Sequence, residues 1–463
     1  MKLTKLAVSL IAANVMALPA AYATNGMLME GYGPISTGMG GASMAFDNGT
    51  AGMANNPATL GLMPSGTNRF DLSIGGLHPD VKTTVHMASD VEAKSDGNAY
   101  YMPAVGWVRK DGALAYGVGV YAQGGMGTEY GTNTPLSLGT GLPVRSEVSL
   151  GNVIVPLAYD VTPDLTIGGS VSLVWGGMDL QMALTAPQMG AMAAQGDLIA
   201  TGMGAMALPS FMQGGMANAG YISFSNNSDF TGDATSLGYS GKLGLTYKIS
   251  KEFTLGAVYQ SKTHLGDMTS SNAQMSMIDR AGSMGGPAGA TYTLNGDVRI
   301  KDFQFPQVFG IGLAYQATPE LLLVADYKRI GWKNVMEDFK LTFSSNDFGG
   351  LNMDMSMPQN WKDQNVFNLG LAYRVMPALT LRGGANLANN PVPDDTVNPL
   401  FPAIIKNHFT AGLGYDIDKA NALNFSLVYA PNVSVTTQAT PVSPSYTIDH
   451  SQLNWQLMYS YKF

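Results

Sequence analysis

The chain ends with "SQLNWQLMYSYKF" (residues 451–463), in which two kinds of side chain alternate. One series is bulky and apolar or aromatic, and the other is mostly polar. The first series is Leu453, Trp455, Leu457, Tyr459, Tyr461 and Phe463. Because successive side chains of a strand point to opposite faces, this pattern predicts one lipid-compatible face and one lumenal face, as in a membrane β-barrel. A strand of a soluble sandwich can alternate similarly, but such a protein rarely ends on the aromatic residue itself.

Paired strands joined by short turns recur along the chain. A strand ending in Leu-x-Tyr, or in a close variant, meets a turn of Pro, Asp, Lys or Glu, and a second strand follows. The copies are "PLAYDVTPDLTIGG" (156–169), "GLTYKISKEFTLGA" (244–257), "GLAYQATPELLLVA" (312–325), "GLAYRVMPALTLRG" (370–383), "GLGYDIDKANALNFSL" (412–427) and, with an Asp-Gly turn, "WVRKDGALAYG" (107–117). Much longer connections alternate with these turns, as in outer-membrane barrels. Adding one strand at each end predicts an all-β, fourteen-stranded antiparallel transmembrane barrel.

The composition supports a membrane barrel. Only 13% of the 463 residues are charged, against about 25% in soluble domains. After residue 23, however, no apolar run reaches the roughly 18 residues that a membrane helix needs. Strands conceal their hydrophobicity by alternation, so a barrel satisfies both observations. The net charge of −8 argues against a nucleic-acid partner.

The N-terminus reads as an export signal. Residues 1–23 combine Lys2 and Lys5 with an apolar stretch and a small-x-small end at Ala21-Tyr22-Ala23. This pattern predicts a Sec signal peptide cleaved after Ala23, in preference to an N-terminal membrane helix. Export predicts the outer membrane of a Gram-negative cell as the location, with lipid and lipopolysaccharide around the barrel. The terminal aromatic strand is similar to the signal that barrel-assembly machinery recognises, so that machinery is an expected partner during biogenesis.

A glycine-rich segment with the stretch "AGMANNPATLG" (51–61) precedes the first predicted strand. Proline fixes one φ angle and removes a donor, while asparagine side chains bond neighbouring backbone. From these residues alone, Asn56, Pro57 and Ala58 form a turn that opens the first strand.

Residues 23–63 resemble the N-terminal hatch of the FadL-type outer-membrane transporters, including their TodX-like branch. The matching residues are Gly31-Tyr32-Gly33, Gly38-Met39-Gly40-Gly41-Ala42 and Asn56-Pro57-Ala58, and the likeness continues through "FPQVFGIGLAYQ", "WKDQNVFNLGLAYR" and "NPVPDD" (390–395). The resemblance implies a fourteen-stranded barrel (67–463) around a lumenal hatch (24–66). It further implies that Asn56, Pro57 and Ala58 form a buried gate. The family imports long-chain fatty acids or, in the TodX-like branch, aromatic hydrocarbons.

The resemblance also gives a meaning to "YAQGGMGTEYG" (121–131). The family's third strand is kinked here, which opens the lumen sideways to lipid, and Gly124, Gly125 and Gly127 match that kink. Glycine weakens strand pairing and marks bends. Without the family, an ordinary glycine-rich extracellular loop is an equal reading.

A long Met- and Ala-rich connection at about 180–230 predicts one or two short helices and a surface for apolar ligands. Methionine is unbranched and polarizable, so it adapts to varied ligands. A loop folded on itself, with methionine as filler, is the alternative. The predicted capture residues are Met182, Leu184, Met189, Met192, Leu198, Ile199, Met203, Met206, Leu208, Phe211, Met212 and Met216.

The resemblance implies that a fatty acid would be held through its carboxylate by lumenal cations, one of them near the long connection, but cations are scarce there. Residues 146–241 contain no lysine or arginine. A carboxylate buried without a cation is strongly disfavoured. Either other lumenal cations hold it or the ligand is a neutral or weakly polar hydrophobe, which we favour. The possible lumenal cations are Arg145, Lys242, Arg374 and Arg382.

Competing functions leave weaker traces. The five histidines are scattered, and neither a Ser/His/Asp set nor a metal-ligand spacing can be assigned, so we expect no enzyme, metal or cofactor. A general diffusion porin or a purely structural barrel is the main alternative. The apolar, Met-rich connection and the predicted lumenal hatch argue against both. The predicted function is passive transport of hydrophobic small molecules by surface capture, hatch rearrangement and lateral exit into the membrane.

Overall fold

The structure, a computed structural model, describes residues 25–228 and 231–463. The predicted signal peptide, residues 1–23, lies outside the described residues. Within residues 25–228 and 231–463, no helix is long and apolar enough to cross a bilayer.

Antiparallel strands dominate the chain, and helices are few and short. The strands are β1 Thr67–Leu77, β2 Pro79–Val85, β3 Val91–Lys94, β4 Tyr100–Asp111, β5 Leu114–Tyr130, β6 Val144–Asp160, β7 Leu165–Thr185, β8 Leu198–Thr201, β9 Ala219–Phe224, β10 Ala234–Lys248, β11 Phe253–Gln260, β12 His264–Leu265, β13 Met268–Asp279, β14 Ala290–Lys301, β15 Val308–Gln316, β16 Leu321–Ile330, β17 Asp338–Ser345, β18 Leu351–Pro358, β19 Gln364–Met376, β20 Leu379–Ala388, β21 Asn407–Asp416, β22 Asn421–Thr436 and β23 Tyr446–Lys462. The α-helices are α1 Pro34–Thr37, α2 Ala186–Gln195 and α3 Leu208–Gln213. Short 3₁₀ turns lie at Gly49–Met53, Pro57–Leu62, Pro135–Ser137, Met203–Ala207, Gly215–Ala217, Trp332–Asn334 and Asp347–Gly349.

The sheet closes into a barrel because β1 pairs with β4 on one side and with β23 on the other. All of its strand pairs are antiparallel, so the all-β closed barrel predicted from the sequence is confirmed. The predicted count of fourteen does not match the sheet, in which the described residues form 23 strands. Long strands are broken by stretches outside β geometry, such as residues 261–263 and 302–307, and the short strands β8 and β9 are added on the long-loop side.

The outer surface of the wall is apolar, as the alternation predicted. In β23, Leu457, Tyr459 and Tyr461 are exposed, whereas Met458 and Ser460 between them are buried. Other exposed apolar side chains on the wall include Leu72, Leu157, Val171, Leu243 and Phe367. A surface of this kind is stable only against lipid.

The N-terminal segment, residues 25–66, packs against inward-facing side chains of strands on all sides of the barrel. Nearly all of its residues are buried. Inside the barrel it has no long helix or strand, only α1, two 3₁₀ turns and connecting backbone. Its backbone groups are satisfied partly by tight turns within the segment and partly by side chains of the wall, such as Asp326, which accepts from the N–H groups of Ser43 and Met44.

Candidate functional site

Asn56, Pro57 and Ala58 are all buried, and they begin a 3₁₀ turn within the N-terminal segment. The Asn56 side chain caps this turn, because its Oδ1 accepts from the backbone N–H of Ala58 at 3.1 Å. Its Nδ2 donates to the carbonyl of Met44 at 2.7 Å and to that of Leu245, in β10, at 3.1 Å. One side chain therefore fastens the turn to its own segment and to the wall.

Charged side chains of the wall hold other parts of the same segment. Arg69 of β1 forms a bidentate pair with Asp47, with N–O distances of 2.6 and 2.9 Å. Lys328 of β16 donates from Nζ to the carbonyls of Glu30 and Gly41, at 2.9 and 3.1 Å. These charge-assisted contacts lie in a space largely closed to water, where such bonds are strong.

Glu30 itself lies against this network with little compensation for its charge. Its Oε1 accepts from the Asn454 side chain at 3.4 Å, and its Oε2 has no hydrogen-bond partner among the described residues. Burial therefore raises the pKa of the Glu30 carboxyl to about 7, although Asn454 and Lys328 oppose the change. Near neutral pH this carboxyl is poised between its charged and neutral forms.

The wall itself is interrupted between β4 and β5. The two strands pair only from Asp111↔Leu114 to Val105↔Val120. Beyond that point β4 continues to pair with β1 as far as Tyr100, while β5 keeps β6 as its neighbouring strand and Gly124 forms a single bridge with Leu28 of the N-terminal segment. The pairing of β5 with β6 shifts its register between Ala122 and Gly124. A shift of this kind bends a strand, and here β5 separates from β4.

A cavity of about 290 Å³ occupies this gap. The predicted kink residues Gly124, Gly125 and Gly127 all line it, so the structure brings them together at one opening. Most of the other lining side chains are apolar or aromatic, and they are contributed by β1, β2, β4, β5, β6, β7 and residues 402–405, while β23 contributes His450 and Gln452. They include Tyr100, Tyr101, Met102, Pro103, Tyr121, Met126, Trp175 and Ile405.

The N-terminal segment touches the broken strand directly. The N–H of Gly125 donates to the carbonyl of Met27 at 3.1 Å. Tyr32 donates from its hydroxyl to the carbonyl of Gln123 at 2.9 Å. Further along the segment, the Thr50 hydroxyl lies 2.9 Å from that of Tyr121, which lines the cavity. A displacement of the N-terminal segment would therefore break hydrogen bonds to β5 beside the gap.

The Met-rich connection packs against neighbouring strands, because β8 pairs with β18 and β9 pairs with β7 and β13. It forms the two short helices expected from its composition, α2 and α3. Of the predicted capture residues, Met182, Met189, Leu198, Leu208 and Phe211 are buried, and Leu184, Met192 and Met212 pack partly buried against them. Four are exposed: Ile199, Met203, Met206 and Met216.

A second, much smaller cavity of about 10 Å³ lies beside the Met-rich connection, which we call the cap. Met182 lines it together with side chains that are mostly aromatic or sulfur-containing. These include Met27, Phe303, Met336, Phe339, Trp361 and Phe401. Because Met27 belongs to the N-terminal segment, this cavity lies where the strand that leads into the Met-rich connection meets that segment.

The model of one protein family, described as outer membrane protein transport protein (OMPP1/FadL/TodX), matches residues 10–463. The chain belongs to this family. Its members include the Pseudomonas putida toluene transporter TodX, whose crystal structure is similar with a TM-score of 0.82 and 33% identity over 94% of this chain and 99% of that one. The Ralstonia pickettii toluene transporter TbuX is similar with a TM-score of 0.74 and 32% identity over 94% and 99% of the two chains. Membership places the barrel in the outer membrane.

A curated relative from Chlorobium limicola, described as an uncharacterized protein in the 5′ region of the phosphoenolpyruvate carboxykinase gene, is 46% identical over 81 residues. The match covers 18% of this chain and 38% of the relative, so the chain spans less than half of that protein's length.

The four cations predicted from the sequence are separated in this OMPP1/FadL/TodX family member. Arg145 is buried among carboxylates, 2.8 Å from Glu129, 2.7 Å from Glu147 and 3.8 Å from Asp179. Lys242 donates to the carbonyl of Ala54 in the N-terminal segment. Arg374 is exposed at a turn of the wall, and Arg382 is half-buried in β20 beside Gly38 and Gly412. None of the four lines either of the two cavities described above.

Sequence reasoning missed two parts of the lateral cavity. One is the pair His450 and Gln452 in β23, whose polar groups looked like ordinary lumenal residues. The other is residues 399–405, which fold inward and are held through their carbonyls by Tyr130, Ser146 and His450. The prolines of "NPLFPAII" (398–405) were a weak signal for such an extended insertion.

Proposed function

We propose that this protein carries neutral hydrophobic small molecules, with monoaromatic hydrocarbons among them, through the barrel and sideways into the outer membrane. The observation that carries the proposal is the apolar cavity where β5 separates from β4. A hydrocarbon leaving there meets lipid directly and never has to enter water, which the hydrophobic effect strongly favours. TodX and TbuX, both described as toluene transporters, support this ligand class.

A neutral ligand also fits the charges inside the barrel. A fatty-acid carboxylate in the lateral cavity would need a cation to offset its desolvation. Arg145 is already surrounded by Glu129, Glu147 and Asp179, and adding a further anion there is unfavourable. Lys242 is engaged with the N-terminal segment. These observations favour an uncharged hydrophobe.

Residues 24–66 act in this proposal as a hatch, preceded by a signal peptide at 1–23 and followed by the barrel at 67–463. Contacts such as Arg69–Asp47 and the Asn56–Leu245 hydrogen bond hold the segment on several sides. Removing the whole segment would break all of them at once. Passage therefore requires a local rearrangement, and the contacts of Met27 and Tyr32 with β5 favour the end nearest the lateral cavity. The driving force is the ligand's own concentration gradient.

Capture begins in this proposal at the exposed apolar residues of the cap. Ile199, Met203 and Met206 are exposed, and Phe348 lies on a neighbouring turn that Met203 contacts. An exposed apolar patch costs solubility and usually marks a binding surface. The buried members of the Met-rich connection give the cap its shape. The terminal strand favours contact with assembly machinery, and lipopolysaccharide would surround the long-loop side.

The experiment compares uptake of radiolabelled toluene by proteoliposomes containing the wild type, Ala122→Phe or Val118→Phe. Ala122 lines the lateral cavity, whereas Val118 lies on the same strand with its side chain exposed on the wall. We expect A122F to lower facilitated uptake at least about fivefold, and V118F to leave it unchanged. Equal uptake by A122F and wild type would exclude the lateral route. Tight oleate binding that is lost on replacing Arg145, Lys242, Arg374 or Arg382 would exclude the neutral ligand.

A further inference from the structure

Trp175 of β7 lines the lateral cavity and also belongs to the lipid-facing surface of the wall. It is 40% exposed, and it continues the series of outward-facing side chains that includes Val171 and Leu173. A bulky side chain in this position lies where a departing ligand leaves the protein. Tryptophan on a barrel surface is also common as an interfacial anchor, so the orientation of the ring decides between the two roles.

The indole ring of Trp175 is directed toward the gap in the wall. Trp175 pairs with Gly151 of β6, and Gly151 pairs in turn with Ala122 of β5, so the three residues form one row across the sheet. A Cβ on Gly151 would overlap the indole ring. The ring therefore lies across β6, in the space left by the missing side chain of Gly151. At Ala122, the next residue in the row, β5 has already separated from β4.

The outer face of β5 and β6 beside this ring carries only small side chains. Ala122 and Gly125 of β5 pair with Gly151 and Ser149 of β6, and all four residues line the cavity. Positions 149 and 151 alternate in step with the exposed Val155, so they belong to the outward face. Small residues on two adjacent strands leave a shallow depression in the lipid-facing surface. We call the depression over these four residues the exit trough.

Bulky side chains bound the exit trough on both sides. Tyr101 and Pro103 of β4 line the cavity across the gap. On the other side Trp175 covers the part of the trough that lies over Gly151. The part that remains open lies over β5 and over Ser149. Rotating the indole away from Gly151 would give up its packing against the backbone of β6, so the ring is held in this place.

Building on the proposed lateral route, we propose that Trp175 is a specificity-determining residue, which limits the lateral exit to hydrocarbons with a single aromatic ring. One ring lies flat in the open part of the exit trough, against the edge of the indole. A fused two-ring hydrocarbon needs the part of the trough that the indole already fills. An apolar site of this kind distinguishes ligands by the volume that it has no room for.

The test measures uptake of radiolabelled toluene and 1-methylnaphthalene by Gram-negative cells that lack their own hydrophobe transporter and display equal amounts of each variant. Wild type should take up toluene faster. Trp175→Ala opens the whole trough, so the ratio of 1-methylnaphthalene to toluene uptake should rise on the order of tenfold, as for a small change of size in a hydrophobic pocket. Trp175→Phe should raise the ratio by a smaller factor, and it replaces the alanine variant if that variant does not assemble.

Trp455→Ala is the matched control. Trp455 of β23 pairs with Gly76 of β1, and a Cβ on Gly76 would lie 2.6 Å from its Nε1, so this ring also lies across a glycine of the neighbouring strand. Trp455 does not line the lateral cavity. An interfacial anchor and an exit residue therefore differ in this comparison, and W455A should keep the wild-type uptake ratio.

Two results would overturn the role of Trp175 and leave the lateral route intact, provided that wild type still facilitates toluene uptake. One is an unchanged ratio in W175A, or in W175F where only that variant assembles. The other is an equal rise of the ratio in W175A and W455A. Absence of facilitated toluene uptake by wild type would overturn the proposed function together with this inference.

Discussion

Gly168 of β7 and Gly244 of β10 lie directly opposite each other in the sheet, and both approach the turn that contains Asn56, Pro57 and Ala58. A Cβ on Gly168 would lie 2.5 Å from the backbone nitrogen of Ala58, and one on Gly244 would overlap Asn56 Oδ1. The two glycines form a shallow depression in the wall, because only a residue without a side chain lets another backbone come so close.

Gly244→Ala should therefore loosen the N-terminal segment while the barrel still forms. The added methyl group displaces Asn56, and overpacking of this kind costs roughly 1–3 kcal/mol. We expect a higher leak conductance in planar bilayers and faster proteolysis within residues 25–66. Gly241→Ala, three residues earlier on the same strand, is the control, since its Cβ would meet only Ser170 O at 3.9 Å. Equal conductance of the two variants would refute the role of the depression.

The double variant Asn56→Ala, Pro57→Ala tests the turn itself. It removes the cap and the bonds from Asn56 to the carbonyls of Met44 and Leu245. Loss of an asparagine cap alone costs about 1 kcal/mol, and the buried carbonyls left unpaired add to it. We expect impaired uptake or raised leak conductance with normal barrel assembly. Pro64→Ala, at an exposed position just beyond the turn, should change neither. Unchanged uptake and conductance in the double variant would mean that the stretch is only a turn.

Lys328→Met should weaken the opposite side of the segment. The ammonium group of Lys328 serves the carbonyls of Glu30 and Gly41, and its loss leaves both without that donor. The expected cost is roughly 1–3 kcal/mol for the Glu30 carbonyl and less for that of Gly41, which still accepts from the Asn368 side chain at 2.9 Å. Protease protection of residues 25–66, followed by mass spectrometry, measures the effect. Lys340→Met, which removes an exposed pair with Asp338, should leave protection unchanged, and equal protection in K328M would contradict the prediction.

Docking of the N-terminal segment should weaken as the pH rises from about 4.5 to 7. Burial raises the Glu30 pKa from 4.5 to about 7, so the docked state holds a proton that the released state has lost. In that window the docked state binds more protons, and its stability falls with pH by at most about 1.4 kcal/mol per unit. Above pH 7 the Glu30 contribution is constant.

Proteolysis rates of wild type and Glu30→Gln, measured across this pH window, isolate the contribution of Glu30. Replacing the carboxyl by an amide removes the proton but keeps the shape, so the slope should flatten in E30Q. A slope that is the same in both proteins would assign the pH dependence to other groups.

Much of the fold could be predicted because its signal is local and repeated. The alternation in residues 451–463 and the paired turns require only near neighbours in the chain. The strand count was harder to predict, because breaks such as residues 302–307 depend on what packs against them. The glycines at 124, 125 and 127 pointed to the kink. These glycines line the same cavity as His450 and Gln452, which lie more than three hundred residues later in the chain, and sequence spacing could not predict that proximity.

The sequence by itself determined that this chain forms a lipid-facing β-barrel, because the period of two in its side chains has few other stable outcomes. Tertiary structure alone decided which groups are already satisfied. From the sequence Arg145 is a possible lumenal cation for a ligand, but in the structure its charge is neutralised beside Glu147. Gln452 is an ordinary amide until His450 and Pro402 occupy one end of it. Hydrogen-bond and charge balance are properties of contacts between distant strands, and those contacts exist only when the barrel closes.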